Sequence, residues 1–284
     1  MNERFLLGLN SRGFHRLHYT DWGDPANPRI VVCVHGLTRN CRDFDALAAH
    51  LQDRFRVVSI SMAGRGKSGW LANPQDYGYP QYMADATALI ARVTAGNDAD
   101  ISWVGTSMGG MLGLLLAARP QTPIRRLVLN DVGALIPKAA MERIGSYVGA
   151  DPRFDSFDAF EQYVRTVCAP FGQLTDAQWR HLAEHNARRH DDGRWGMVYD
   201  PGIARPFTEA AAKDVDLWKV YDAVRCPTLL LRGAESDLLL RETAQEMTCR
   251  GPQCRLLEFP GVGHAPALFA AEQIEAIRAF LLTA

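Results

Sequence analysis

The sequence predicts an α/β fold, a mostly parallel sheet with helices on both faces, and three observations predict it. Short β-branched runs alternate with longer helical patterns along most of the 284 residues, as in strands joined by crossover helices. Within the helical patterns the apolar positions recur at three and four. The alternation then breaks between about Val132 and Val215, where aromatic and charged residues mix and no clean buried strand appears.

Taken in order, Arg12 to Trp22 alternates more than it runs and predicts an antiparallel edge. Buried parallel strands follow at Ile30 to Val34, Arg56 to Ile60, Ile101 to Val104, Leu127 to Leu129, Thr228 to Leu231 and Arg255 to Phe259. Helices are expected at Asp43 to Leu51, Tyr82 to Val93, Met108 to Ala118, Arg241 to Met247 and Glu272 to Leu282. The irregular stretch is an insertion of several helices, so residues 1–132 and 216–284 form the core domain and 133–215 a helical lid. Lying between two sheet strands, it is expected over their carboxyl ends, where open α/β sheets bind ligands. The sequence contains no internal repeat and no low-complexity tract.

Hydrophobic content of 47%, charged content of 22% and a formal net charge of -1 describe an ordinary globule. Nothing in that balance draws it in bulk to nucleic acid or an anionic membrane. The first residues carry only a five-residue apolar stretch, Phe5 to Leu9, too short for a signal-peptide core or a bilayer span. The six cysteines, Cys33, Cys41, Cys168, Cys226, Cys249 and Cys254, include no C-x-x-C pair and read as reduced thiols. A cytoplasmic monomer or homodimer is the expectation, with a small-molecule substrate as its partner.

Two motifs mislead. Ser61-Met-Ala-Gly-Arg-Gly66-Lys67-Ser68-Gly69 ends like a phosphate-binding P-loop, but its first glycine position is Ser61. The turn-rich residues from Gly69 to Pro80 then prevent a helix from starting at Lys67. His181-Leu-Ala-Glu184-His185 has the H-x-x-E-H order of one zinc-peptidase class. With no evident third ligand it reads as a surface helix with Trp179, Leu182 and Ala183 as apolar contacts.

The chemistry concentrates elsewhere. Gly105-Thr106-Ser107-Met108-Gly109 lies between a short apolar strand and a helix-forming run, the context of a G-x-S-x-G nucleophile elbow. A serine hydroxyl needs a base, and the base an acid to fix its tautomer. His264, in Pro260-Gly-Val-Gly-His264-Ala-Pro266 after the last strand, is the expected base. Asp237, in Gly233-Ala-Glu-Ser236-Asp237, is the favoured acid, with Glu235 a local rival and Asp131, beyond the strand at 127–129, a distant one. Charge growing on a substrate oxygen calls for two amide donors, expected from Leu37 in Val34-His35-Gly36-Leu37 and from Met108. His35 reads as a structural hydrogen-bonding residue of that loop.

With these motifs the chain resembles the α/β-hydrolase family over nearly its whole length. The resemblance rests on His35-Gly-Leu37, Gly105 to Gly109, Arg232 to Asp237 and Gly261 to Pro266. It implies the α/β-hydrolase fold with a helical lid inserted after the sixth strand. Ser61 to Gly69 then resembles the family's D-x-x-G-x-G-x-S loop, with Gly64, Gly66 and Ser68 retained and the leading aspartate replaced by Ser61. Serine at the elbow implies a carboxylesterase-type acyl-enzyme mechanism with no metal and no organic cofactor. A C–C bond hydrolase of a ring-cleavage diketone, a lactonase, a hydroxy-acid oligomer hydrolase or a perhydrolase would use the same triad. From another class, a catalytically silent binding module would share the scaffold. In the insertion, Phe154, Phe157, Phe171, Trp179 and Trp195 are candidate pocket residues. Arg180, Arg188, Arg189 and Arg194 are candidates for a substrate carboxylate, set against a solvated mixed-charge face.

Overall fold

The computed structural model describes residues 1–95, 99–206 and 213–283; residues 207–212 of the expected lid lie outside that range. Eight strands make one sheet in the order β1-β2-β4-β3-β5-β6-β11-β12. These are β1 (Asn2–Asn10), β2 (Gly13–Trp22), β3 (Arg29–Val34), β4 (Arg56–Ser61), β5 (Asp100–Thr106), β6 (Ile124–Asn130), β11 (Thr228–Gly233) and β12 (Arg255–Phe259). From β4 to β12 every pairing is parallel, while β1 and β2 join antiparallel at one edge.

Strand alternation divides the core into two layers. On β3, Ile30, Val32 and Val34 face one layer and Val31 and Cys33 the other, so both faces are buried, as an all-parallel region requires. The first layer takes the apolar stripes of α2 (Tyr79–Thr94), α3 (Met108–Ala117) and α8 (Arg241–Met247). The second takes α1 (Asp45–Leu51) and α9 (Ala271–Leu282), through Leu47, Leu51, Ile277 and Phe280.

The expected strands and helices of the core are all present. The strand β1 is an addition, because the stretch around Phe5 to Leu9 is here the outer strand of a hairpin. Phe5, Leu7 and Leu9 stay exposed, and the inward face holds only Leu6, partly buried against the core, and Gly8, too little for the alternation by which a strand is recognised. The antiparallel segment expected at the edge is accordingly second from it.

Between β6 and β11 the chain forms α4 (Lys138–Gly145), α5 (Phe157–Val167) and α6 (Asp176–Asn186). Thr175 and Gln178 close a capping box at the start of α6. Two small ladders join these helices, β7 (Leu135–Ile136) with β10 (Val215–Asp216) and β8 (Ala187–Arg189) with β9 (Trp195–Met197). Strands of two or three residues carry no readable period. The first ladder pairs Ile136 with Val215, tying together the two ends of the insertion. A short α7 (Trp218–Tyr221) leads back to β11. No described helix is long and apolar enough to cross a membrane.

Two buried histidines give this core a pH signature. Burial pushes His18 down to about 4 and His35 down to about 3, so both are neutral in the native state. An unfolded chain protonates them near ~6.5. As pH falls below that value, unfolding takes up protons the fold refuses, at up to about 1.4 kcal/mol per pH unit for each histidine. The urea midpoint is expected to fall steadily from pH 6.5 towards pH 4. In His18→Asn the slope should flatten by one proton, and an unchanged slope would refute the assignment.

Candidate active site

The nucleophile elbow sits where β5 gives way to α3. Ser107 has φ 52° and ψ -115°, a conformation that non-glycine residues adopt only where the surroundings enforce it. Its amide donates to Asn130 O at 3.0 Å, and the Trp103 indole donates to Gly109 O at 2.9 Å. The flanking glycines allow the crossing. A Cβ at Gly105 would meet the Gly109 backbone, and one at Gly109 would strike the carbonyl oxygen of Val34.

From the loop after β12, His264 reaches this serine. Ser107 Oγ donates to His264 Nε2 at 2.9 Å, and His264 Nδ1 donates to Asp131 Oδ2 at 2.7 Å. The Asn130 side chain holds the histidine loop, its Nδ2 donating to Pro266 O at 2.8 Å. Asp131 is fully buried and its carboxylate is well supplied with donors. Oδ1 accepts from the Gly233 amide at 2.8 Å and Oδ2 also from Ser236 Oγ at 2.6 Å.

The structure thus sets Asp131, and not the Asp237 favoured from sequence, against the imidazole. Asp237 is half exposed and pairs with Arg143 of α4, whose Nη2 donates to its Oδ1 at 2.8 Å. The strands β6 and β11 are parallel neighbours, so their carboxyl ends open on the same histidine. The loop after β11 turns Ser236 inward and Asp237 outward, leaving the end of β6 to supply the carboxylate.

The loop after β3 runs beside the elbow, since a Cβ on Gly36 would lie 3.8 Å from Ser107 Cβ. His35 is the structural residue it was expected to be. Its Nε2 accepts from the Met62 amide at 3.0 Å, so Nδ1 carries the proton and donates to Gly36 O at 2.7 Å. That carbonyl shares a peptide plane with the Leu37 N–H, which in a trans peptide points the opposite way. On its other side, Arg65 Nε donates to Leu37 O at 2.9 Å. Arg65 lies in the P-loop-like stretch, is fully buried, and also donates to Ala63 O and to the Tyr82 hydroxyl. Lys67 reaches away to Glu3. The stretch is scaffold for the neighbouring loop, and Arg65 is a residue that reading the motif by its glycines overlooks. Met108 begins α3, so its N–H is one of the amides a helix leaves unpaired at its start.

Ser107 and His264 open into a pocket between the core and the insertion, with Leu37, Arg39, Phe44 and Leu268 on one side and Ile144, Tyr147, Tyr163, Phe171 and Met197 on the other. Of the aromatic candidates, Phe171 is in the lining while Trp179 and Trp195 are not. Trp179 is buried on α6 under the Arg165 guanidinium. Trp195 pairs through its backbone with Phe154 and stands edge-on to Phe157, ring centroids 5.2 Å apart. These aromatics are the insertion's own packing, whose apolar periodicity looks the same from sequence as a pocket wall. None of Arg180, Arg188, Arg189 and Arg194 lines the pocket. Arg180 pairs with Glu161 and Glu184, and Arg194 with Asp192, as on a solvated face. The arginines that do line it are Arg39 and Arg143, one from each side. Nothing in the sequence singles them out. Arg39 is held by Asp43 through two hydrogen bonds of 2.8 and 2.6 Å. Among the described residues, the one trio of metal-type donors is Asp45, His181 and His185, none of them in the pocket lining.

A strained serine at a strand-to-helix turn, an imidazole on its oxygen and a buried carboxylate behind the ring are the geometry of serine-type hydrolases. The chain belongs to the alpha/beta hydrolase family, which it matches over residues 31–277. It is 46% identical over 278 residues to the 3-hydroxybutyrate-oligomer hydrolase of Cupriavidus necator, covering 95% of this chain and 94% of that one. An alpha/beta hydrolase from Novosphingobium aromaticivorans superimposes with a TM-score of 0.86 at 36% identity, over 99% of this chain and 97% of the other. A hydrolase from Rickettsia typhi, described as putative, does so with a TM-score of 0.91 at 31% identity, over 99% of each.

Proposed function

We propose that the protein hydrolyses ester bonds in short oligomers of a 3-hydroxy acid, by acyl transfer to Ser107. It is a hydrolase acting on ester bonds, and the contact of Ser107 Oγ with His264 Nε2, backed by Asp131, carries the reading. His264 takes the serine proton as Oγ attacks the ester carbonyl, then gives that proton to the departing alkoxide, releasing an alcohol. Water enters, loses a proton to His264 and attacks the acyl-enzyme carbon, and Ser107 recovers its proton as the free acid leaves. Asp131 holds the ring with Nδ1 protonated and stabilises the imidazolium in both halves. The oxyanion is received by the amides of Leu37 and Met108, the former aimed by His35 and the Gly36 carbonyl. Each such donor contributes roughly 3 kcal/mol to the barrier reduction.

In this reading residues 133–215 act as a lid, closing the acyl pocket with Ile144, Tyr147 and Phe171. The similarity to the Cupriavidus enzyme, spread over nearly both chains, supports the substrate class, and so does the chemistry of the wall. An oligomer of a hydroxy acid is mostly apolar ester with one carboxylate end, and Arg143 brings guanidinium donors to a wall where Ile144, Val148 and Phe171 are apolar. The six thiols form no disulfide, which suits a reducing compartment such as the cytoplasm.

The test is product analysis. A dimer or trimer of 3-hydroxybutyrate is expected to yield monomer, and Arg143→Gln to raise KM for the free-acid dimer about tenfold while leaving that for its methyl ester nearly unchanged. Turnover of a vinylogous diketone with none of the oligomer would overturn the assignment. A KM rise shared equally by acid and methyl ester would remove Arg143 from carboxylate recognition.

A further inference from the structure

His181 and His185 lie one turn apart on α6, and the fold supplies the third donor their motif lacks. Asp45, in the first turn of α1, comes to the same place, with one donor atom of each residue within 4.8 Å of those of the other two. The two imidazoles stand edge to face, centroids 4.5 Å apart. We propose that Asp45, His181 and His185 bind a divalent transition metal of the zinc class, and that the ion clasps α6 to the core beside the pocket.

The carboxylate is the second, independent sign. Asp45 is only 8% exposed. Its Oδ2 is engaged by Arg42 Nε and Nη2 at 2.7 and 2.6 Å, yet its Oδ1 is buried without any hydrogen-bond partner. A buried acceptor left unpaired costs free energy that a ligand would recover. An ion on that oxygen leaves the Arg42 pairing in place. His181 Nε2 donates to the Arg42 carbonyl at 3.1 Å and lies 3.6 Å from Asp45 Oδ2, so an ion bound through this nitrogen would take the place of that proton. Two imidazoles and one carboxylate suit zinc, nickel or copper, whereas magnesium and calcium prefer all-oxygen sets. Water would complete the coordination. The charges facing the site are Arg42, already neutralised by Asp45, and Glu184, which pairs outward with Arg180.

The position gives the ion a consequence. Leu182, next to His181, lines the pocket, as do Asp43 and Phe44, next to Asp45. The His181 ring also stands edge-on to Phe269 at 5.9 Å, in the segment that follows His264. A metal bridge therefore fixes one pocket wall against the other. Occupancy is expected to raise thermal stability and to slow turnover severalfold by restraining the wall that residues of α6 supply.

The experiment is calorimetric titration of the purified protein with zinc chloride and nickel chloride, beside thermal melts with and without each ion. One zinc per chain is expected, bound about tenfold or more weakly in His185→Gln and in the double variant His181→Gln/His185→Gln, with the melting shift lost in both. These surface-helix variants keep ester hydrolysis without metal, which establishes that they fold. Asp45→Asn, which keeps the side chain's shape but replaces the anionic oxygen with a weaker neutral amide ligand, should weaken zinc as well. Zinc bound equally by wild type and double variant would place the ion elsewhere and overturn the proposal. So would the absence of binding at millimolar zinc, or a preference for magnesium. None of these readouts depends on which ester is cleaved.

Discussion

Asp131→Asn is expected to lower kcat by about four orders of magnitude, while Asp237→Asn leaves it within a few-fold of wild type. The asparagine keeps the shape of the side chain, and its carbonyl oxygen still accepts from Gly233 or Ser236. Its amide nitrogen, however, presents protons to His264 Nδ1, favouring the ring tautomer that carries its own proton on Nε2. In that tautomer His264 faces Ser107 Oγ as a donor and cannot take the hydroxyl proton. Ser107→Ala sets the floor at about a millionfold loss in kcat, and Asp131→Asn combined with it should cost little more, because the groups act as one unit. Asp237→Asn removes only a half-exposed partner of Arg143, a type of pair worth about 1 kcal/mol or less to stability. Steady-state rates on a 3-hydroxybutyrate dimer, with circular dichroism to check folding, decide between the two. A larger loss at Asp237 would mean that the loop after β11 swings inward during turnover.

That pair of aspartates marks the limit of what one dimension holds. The sheet, its crossover helices and the two residues Ser107 and His264 are legible because each leaves a local trace, an apolar run, a 3.6-residue period or glycines at a forced turn. Which of two carboxylates beyond neighbouring strands meets the imidazole leaves none. It is set by how the loop between β11 and α8 turns Ser236 in and Asp237 out. The pocket is opaque for the same reason. Trp179 and Trp195 have the composition of a binding wall but are consumed in packing the insertion, while Arg39 and Arg143 sit in ordinary helical or turn sequence and reach the cavity through tertiary placement. Asp45 lies far from the histidines of α6 in sequence, so the trio it completes is invisible before folding. The exposed strand β1 shows the converse. Of its large apolar residues only Leu6 meets the core, and a pattern that reports burial cannot report an edge.

Gly109→Ala is expected to cost more than about 4 kcal/mol, enough to leave the chain insoluble or unfolded. The backbone at Gly109 is an ordinary helical one, so the penalty is purely one of space. The added methyl would occupy the position of the Val34 carbonyl oxygen and would also approach His35 O to 2.9 Å. Neither atom belongs to a side chain that can rotate aside. Val34 ends β3, which is hydrogen-bonded on both sides, to β4 and β5, in the middle of the sheet. Moving it would break ladders or lift α3 from the strand it crosses. Lifting α3 would also withdraw Met108 from the loop that carries Leu37, so stability and the two amide donors depend on the same contact. Gly193→Ala is the matched control. There φ is +82° but nothing lies within 4 Å of the new carbon, and the cost should stay near 1 kcal/mol, the price of backbone strain alone. Urea midpoints for the two variants separate crowding from strain. A folded and active Gly109→Ala would show that helix and strand can part without disturbing Ser107, and the close crossing would then not be what holds the nucleophile in place.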